Sequence, residues 1–371
     1  MNRVSAYETL FYPFLERFGV DAESAHHAVI GMLAMIEQNP HLLFAFKHLV
    51  NTPYPYTNER LQTTVGGVDF PNPLLLPAGY DKNAEAVDGL FALGFGGIEI
   101  GTVPKYPQPG NALPRLFRPQ KGAILNRYGF NSDGADAVAA NLSRYAYRAG
   151  TLGVSIGINK NVSVEDAPQA HKDALAAVLP YADFLTINVS SPNTEGLRAL
   201  QTYTHLKKIV DACRDEMHAR DRYTPIFTKL APDLRLEEID EVVRLVEEYD
   251  LAGVMLTNTT TDQHLKAGLG KRWEREAGGV SGKPLRERAT QLIAHVHKSA
   301  PDVAIIGMGG VDDLDSFLEK IEAGAGAVAV LSALVFKGPS LPSTLLAHLD
   351  TWLEKQGVTH ISEIVGERLY L

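Results

Sequence analysis

The chain has 371 residues, 45% hydrophobic and 21% charged, the composition of a globular protein with a sizeable core. Its formal net charge of −9 and the lack of any basic block exclude a general affinity for nucleic acid. A single cysteine, Cys213, excludes an internal disulfide and a cysteine-based metal site, and no apolar run reaches the roughly 18 residues that a membrane span needs.

No metal is expected, and the N-terminus lacks the basic start, apolar core and small-residue cleavage site of a signal peptide. Tyr7, Leu10, Phe11, Phe14, Leu15 and Phe18 recur at helical spacing until Gly19 stops the segment. Asp21 or Ser24 is placed to cap a second helix carrying Ala25, Ala28, Val29, Met32, Leu33 and Ile36, which Asn39-Pro40 ends. Residues 42–46 add an apolar patch and 51–57 read as a linker. Two readings fit this beginning: a helical hairpin packed on the main domain, or helices that lie on a membrane surface or guard an apolar tunnel. Residues 1–60 hold four basic and six acidic side chains, so membrane contact would rest on aromatic and aliphatic burial rather than on anionic lipid. The expected organisation is a helical segment over 1–50, a linker over 51–60 and one large domain over 61–371.

Past residue 60, short apolar runs that end in polar or glycine-rich turns alternate with helix-like stretches. The runs are 74–79, 97–102, 153–157, the first part of 182–194, 226–230, 253–258, 303–307 and 327–332. Eight such units point to an α/β fold, a (β/α)8 TIM barrel. A doubly wound sheet is disfavoured because no Gly-x-Gly-x-x-Gly follows the first run. Barrel enzymes keep their chemistry at the C-terminal strand ends, where this sequence puts Lys82, Thr102, Asn126, Asn188, Ser191, Lys229, Thr257 and Asn258.

The fourth run passes from Ile187 and Val189 to small polar residues closed by Pro192. It reads either as a strand followed by a Ser-Pro turn or as a strand that stops where chemistry starts. In the second reading Asn188, Ser191, Asn193 and Thr194 offer amides and hydroxyls to a planar polar ligand. Two glycine turns, 278–285 before a helix and 307–311 after the seventh run, carry exposed N–H groups suited to phosphate. Together they suggest a phosphorylated cofactor.

Several motifs then become recognisable: Ala78-Gly79-Tyr80-Asp81-Lys82, Asn126-Arg127-Tyr128-Gly129-Phe130-Asn131, Asn188-Val189-Ser190-Ser191-Pro192-Asn193-Thr194, Lys229-Leu230-Ala231-Pro232-Asp233, Thr257-Asn258-Thr259-Thr260 and Gly279-Val280-Ser281-Gly282-Lys283-Pro284-Leu285. In these the chain resembles the quinone-dependent (class 2) dihydroorotate dehydrogenases, flavin enzymes of pyrimidine synthesis. The resemblance implies FMN across the barrel mouth, with Ala78, Gly79, Lys82, Thr102, Ser155 and Leu331 lining it. Asn188, Lys229 and Thr257 would surround the ring, and Gly282, Gly310 and Ser332 would receive the phosphate. For dihydroorotate and its product orotate it implies Lys82, Asn126, Arg127, Tyr128, Gly129, Phe130, Asn193, Asn258 and Thr259. Ser191 would take the proton from C5 with Thr194 as relay, and Arg118 and His26 would face a membrane quinone. It implies a peripheral protein on the cytoplasmic side of the cell membrane, and a monomer is compatible with it. Four positions depart from the family pattern: Ser155 stands where an Asn is usual, Ile158 for a Lys, Leu331 for a Tyr and Glu195 for a Pro.

Overall fold

A computed structural model describes residues 7–51, 58–146, 148–194 and 196–367. The expected linker falls mainly on 52–57, and the Glu195 departure on a single position; both lie outside the described residues.

After a π-helical turn over Tyr7–Phe11, the chain forms α1 (Tyr12–Arg17), α2 (Ala22–Glu37) and α3 (Pro40–Asn51). Asp21 caps α2 by accepting the Ser24 N–H at 2.8 Å, which satisfies one of the orphan donors at the helix start. Asn39-Pro40 ends α2 as expected, but the apolar patch beyond it is the helix α3, opened by Pro40 at a position that needs no N–H donor. Ile30 and Leu33 bury α2 against the main domain, where Leu33 lies over Gly89.

A hairpin of β1 (Thr63–Val65) and β2 (Val68–Phe70) precedes the barrel. The barrel strands are β3 (Leu74–Leu76), β4 (Gly97–Val103), β7 (Thr151–Ile156), β8 (Phe184–Asn188), β9 (Ile226–Leu230), β10 (Gly253–Leu256), β12 (Ile305–Met308) and β13 (Ala327–Ala329). They pair in parallel and close in chain order, with β13 beside β3, so all eight expected runs are found. Between β4 and β7 lie β5 (Leu116–Gln120) and β6 (Ala123–Asn126), and β11 (Gly279–Gly282) completes a separate antiparallel sheet with β6. The first glycine turn is therefore a strand followed by a short 3-10 turn, Lys283–Leu285. Its amides are partly spent on β6, and Gly282 keeps a positive φ of 88° at the strand end.

The lower barrel is filled. Phe70, Phe184 and Phe227 stack edge to face at centroid distances of 5.9 and 5.7 Å, with Val65 and Val68 of the hairpin packed among them. A Cβ on Gly153 would come within 2.1 Å of the Phe184 ring, so only glycine lets that ring turn inward. With that end sealed, open space is left at the C-terminal strand ends.

Candidate active site

One cavity of about 680 Å³ occupies the barrel mouth and continues outward between the first turn, α2 and the barrel. Ser191, Lys82, Asn126, Tyr128, Gly129, Phe130, Asn193, Asn258 and Thr259 line it, as do Ala78, Gly79, Thr102, Asn188, Lys229, Thr257, Gly282, Gly310, Leu331 and Ser332. Arg118 and His26 line its outer part. Three expected site residues are not among the lining. Ser155 is fully buried behind Thr102, whose hydroxyl it meets at 2.9 Å. Thr194 is buried in the turn after Asn193. Arg127 points outward, giving its guanidinium to Glu276, to the Ala277 carbonyl and to the Pro114 carbonyl.

The end of β8 is tied to its neighbours by side chains. The register pairs Asn188 with Lys229, setting both at one level of the barrel. The Asn188 amide donates to Thr102 Oγ1 at 2.7 Å, the Ser190 hydroxyl donates to Asn188 Oδ1 at 3.1 Å, and the Asn258 amide donates to Ser190 Oγ at 2.9 Å. Ser191 Oγ accepts the Asn193 N–H at 3.2 Å, and the Asn193 amide donates to Asn126 Oδ1 at 3.3 Å. Such mutual bonding holds the polar rim in one arrangement before any ligand arrives. Ser190 joins this network although sequence reading gave it no role.

Lys229 Nζ lies 3.5 Å from Glu99 Oε2, and both side chains are almost wholly buried. That oxygen also accepts the Ala78 N–H at 2.7 Å, while Oε1 has no hydrogen-bond partner among the described residues. Glu99 was missed in the sequence, although a carboxylate in an otherwise apolar barrel strand is itself a signal. Lys82 Nζ sits 3.9 Å over the Tyr128 ring. Burial draws the Lys82 ammonium down to about 8, with Arg115 adding to the effect and Glu23 opposing it. Burial also pulls His26 down to about 3, so its ring is neutral near pH 7; it stacks edge-on to Tyr80 at 4.9 Å.

A lysine that titrates near 8 gives a prediction for any carboxylate ligand. Its ammonium is present below that value and is lost above it. The affinity for such a ligand should therefore fall about tenfold per pH unit above about pH 8, and Lys82→Arg should remove that inflection. A carboxylate affinity that stays flat from about pH 7 to about pH 9.5 would separate Lys82 from carboxylate binding.

The fold and mouth define a (β/α)8-barrel enzyme whose pocket is rimmed by amides and hydroxyls and extends outward along apolar residues of the N-terminal helices. A family model described as dihydroorotate dehydrogenase matches residues 60–353. A dihydroorotate dehydrogenase (quinone) from Marinobacter nauticus is 42% identical over 330 residues, covering 87% of this chain and 94% of the relative. The enzyme of that name from Allorhizobium ampelinum is 40% identical over 95% of this chain and 94% of its own length. Among solved structures, DHODH from Eimeria tenella in complex with ferulenol superposes with a TM-score of 0.84 at 32% identity, covering 94% of this chain and 96% of that one. The chain belongs to the dihydroorotate dehydrogenase family, and its curated relatives are of the quinone-dependent class.

Proposed function

We propose that the chain oxidises dihydroorotate to orotate with FMN as resident acceptor and a membrane quinone as the final one. The observation that carries this reading is the single cavity that joins Ser191 and Lys82, Lys229, the late glycine turns and the N-terminal helices. The donor set fits FMN. A Cβ on Gly79 would meet only Leu331 Cδ1, at 3.7 Å, so the missing side chain leaves a flat floor open toward the ring. Lys229, Asn188, Thr102 and Thr257 line the cavity and would hold the flavin ring, with the Lys229 ammonium as the group able to stabilise its reduced form. For the phosphate, Gly309 and Gly310 hold positive φ angles of 120° and 76°, and Ser281 and Ser332 bring their hydroxyls within 2.8 Å of each other. Leu331 lies in the lining without a phenol, and Ser155 reaches this edge only through Thr102.

The oxidation removes a proton from C5 and a hydride from C6 of the substrate. FMN, when bound, supplies the two-electron acceptor for that hydride. Lys82 pairs the substrate carboxylate, and Asn126, Asn193 and Asn258 match a ring of alternating N–H and C=O groups. Ser191 Oγ takes the C5 proton as its own hydroxyl proton passes onward, so the oxygen ends neutral, and the Asn193 N–H donated to Oγ stabilises the partial negative charge that it carries as that proton leaves. Thr194, one turn behind, takes the proton onward through water.

The outer cavity, between Tyr7, Phe11, Ala25, His26, Val29 and Arg118, suits a quinone ring and tail. Of the thirteen large apolar side chains left exposed among the described residues, nine lie between Leu10 and Leu49, so the apolar patch is concentrated on the N-terminal segment. That patch supports a peripheral seat on a membrane surface. Among the described residues no helix is long and apolar enough to cross a membrane.

The test is anaerobic addition of dihydroorotate to the yellow protein: the flavin should bleach, and a quinone should restore its colour. A protein that stays yellow would defeat the reading. A second measurement reports on Lys229. Glu99→Gln keeps the side-chain shape but removes the countercharge, so reduced flavin gains stability. The two-electron potential should rise by about 30 mV for each ~1.4 kcal/mol gained. An unmoved potential in a spectroelectrochemical titration would show that Glu99 does not tune the site.

A further inference from the structure

Glu23 and Arg115 form an ion pair that the chemistry above leaves unused. Glu23 sits in the first turn of α2, and Arg115 just before β5. Both are buried, at 6% and 9% exposure, although charged residues are rarely so enclosed without a structural task. The contact is bidentate, with Arg115 Nε to Oε1 at 3.0 Å, Nε to Oε2 at 3.1 Å and Nη2 to Oε1 at 2.8 Å.

The far side of the guanidinium reaches the substrate loop. Arg115 Nη1 donates to the Pro109 and Asn111 carbonyls, the latter at 2.9 Å. The Asn111 amide donates in turn to the Arg127 and Asn193 carbonyls, each at 3.0 Å. The Asn111 N–H bonds the Tyr128 carbonyl at 2.9 Å, and the Arg127 N–H bonds the Arg115 carbonyl at 2.9 Å. The Tyr128 ring carries the Lys82 ammonium on its face. Hydrogen bonds thus run from α2 to the Asn193 carbonyl and to the Tyr128 backbone, and the Tyr128 ring completes the link to Lys82 by its face. Ala25, His26 and Val29 of the same helix line the quinone end of the cavity.

We propose that Glu23 is a positioning residue for dihydroorotate: through Arg115 it fixes the loop from Pro109 to Tyr128, so that α2 is part of the substrate site as well as of the quinone channel. This rests on the substrate reading given above. Removing the Glu23 charge leaves Arg115 buried without its partner and frees it to leave the loop. The loop then samples arrangements in which Asn193 and Lys82 are not both in place, and only the competent fraction binds.

The test is an orotate titration followed by the flavin spectrum, on the full-length FMN-loaded protein and on Glu23→Gln. The variant should bind orotate about tenfold more weakly, while flavin reduction at saturating dihydroorotate changes less than about threefold. FMN content should not change, which a general loss of folding would alter. An orotate affinity within about twofold of the parent, with FMN retained, overturns the proposal. If Glu23→Gln cannot hold FMN, amide hydrogen exchange on the parent decides. Orotate should then slow exchange in α2 at least about threefold, and protection confined to residues 109–131 overturns the proposal. An orotate that leaves the parent's spectrum unchanged would instead refute the substrate reading itself.

Discussion

Ser191→Ala is expected to slow flavin reduction by dihydroorotate about 10²- to 10⁴-fold, the usual span for losing a positioned proton acceptor. Ser191 is 6% exposed, so its hydroxyl meets the cavity and little bulk water. A neutral hydroxyl is a poor base, and three features of the site help it. The Asn193 N–H donated to Oγ makes the hydroxyl readier to release its own proton as it takes the one from C5, Lys82 draws charge toward the carboxylate end of the substrate, and low local polarity strengthens both effects. Other polar groups nearby are committed elsewhere: the Asn193 amide to Asn126, and Ser190 to Asn188. Neither can take over the proton without breaking the rim. Because the carboxylate and ring contacts survive, orotate affinity should change less than about threefold. Anaerobic stopped-flow reduction of Ser191→Ala, with FMN content measured in the same sample, gives the result. A rate equal to the parent's removes Ser191 from proton transfer.

The barrel was legible because each of its strands is a short apolar run closed by a polar turn, and burial on both faces writes that pattern locally. The run 226–230 coincides with β9, and the others differ only at their ends. The sheet of β5, β6 and β11 was not legible. β5 is only partly buried and contains Pro119, β6 is four residues long and β11 reads Gly-Val-Ser-Gly, so only pairing between distant segments makes them strands. Distance in the chain also hid Glu99 and Glu23, whose partners Lys229 and Arg115 are remote in sequence. Arg127, Ser155 and Thr194 are site residues by resemblance to the family motifs, yet none of them lines the cavity. Side-chain direction decides such cases: Ser155 lies one shell behind Thr102, and Arg127 is drawn outward by Glu276.

Ala25→Trp is expected to separate the two halves of turnover. Ala25 lies one helical turn past the Asp21 cap of α2, and its small side chain borders the channel between the exposed apolar patch and the barrel mouth. An indole there would occupy the space that a quinone ring must cross. It would leave untouched the Glu23–Arg115 pair and the substrate rim, which belong to other faces and other elements. Dihydroorotate should still bleach the flavin within about threefold of the parent rate, while quinone-dependent turnover falls about 100-fold or more. Reoxidation by a small water-soluble acceptor, which need not pass the helices, should be spared. If Ala25→Trp lowers both half-reactions alike, the indole has disturbed the barrel rather than the channel. If quinone turnover persists, electrons leave by another path, and the channel beside Ala25 is not the one they use.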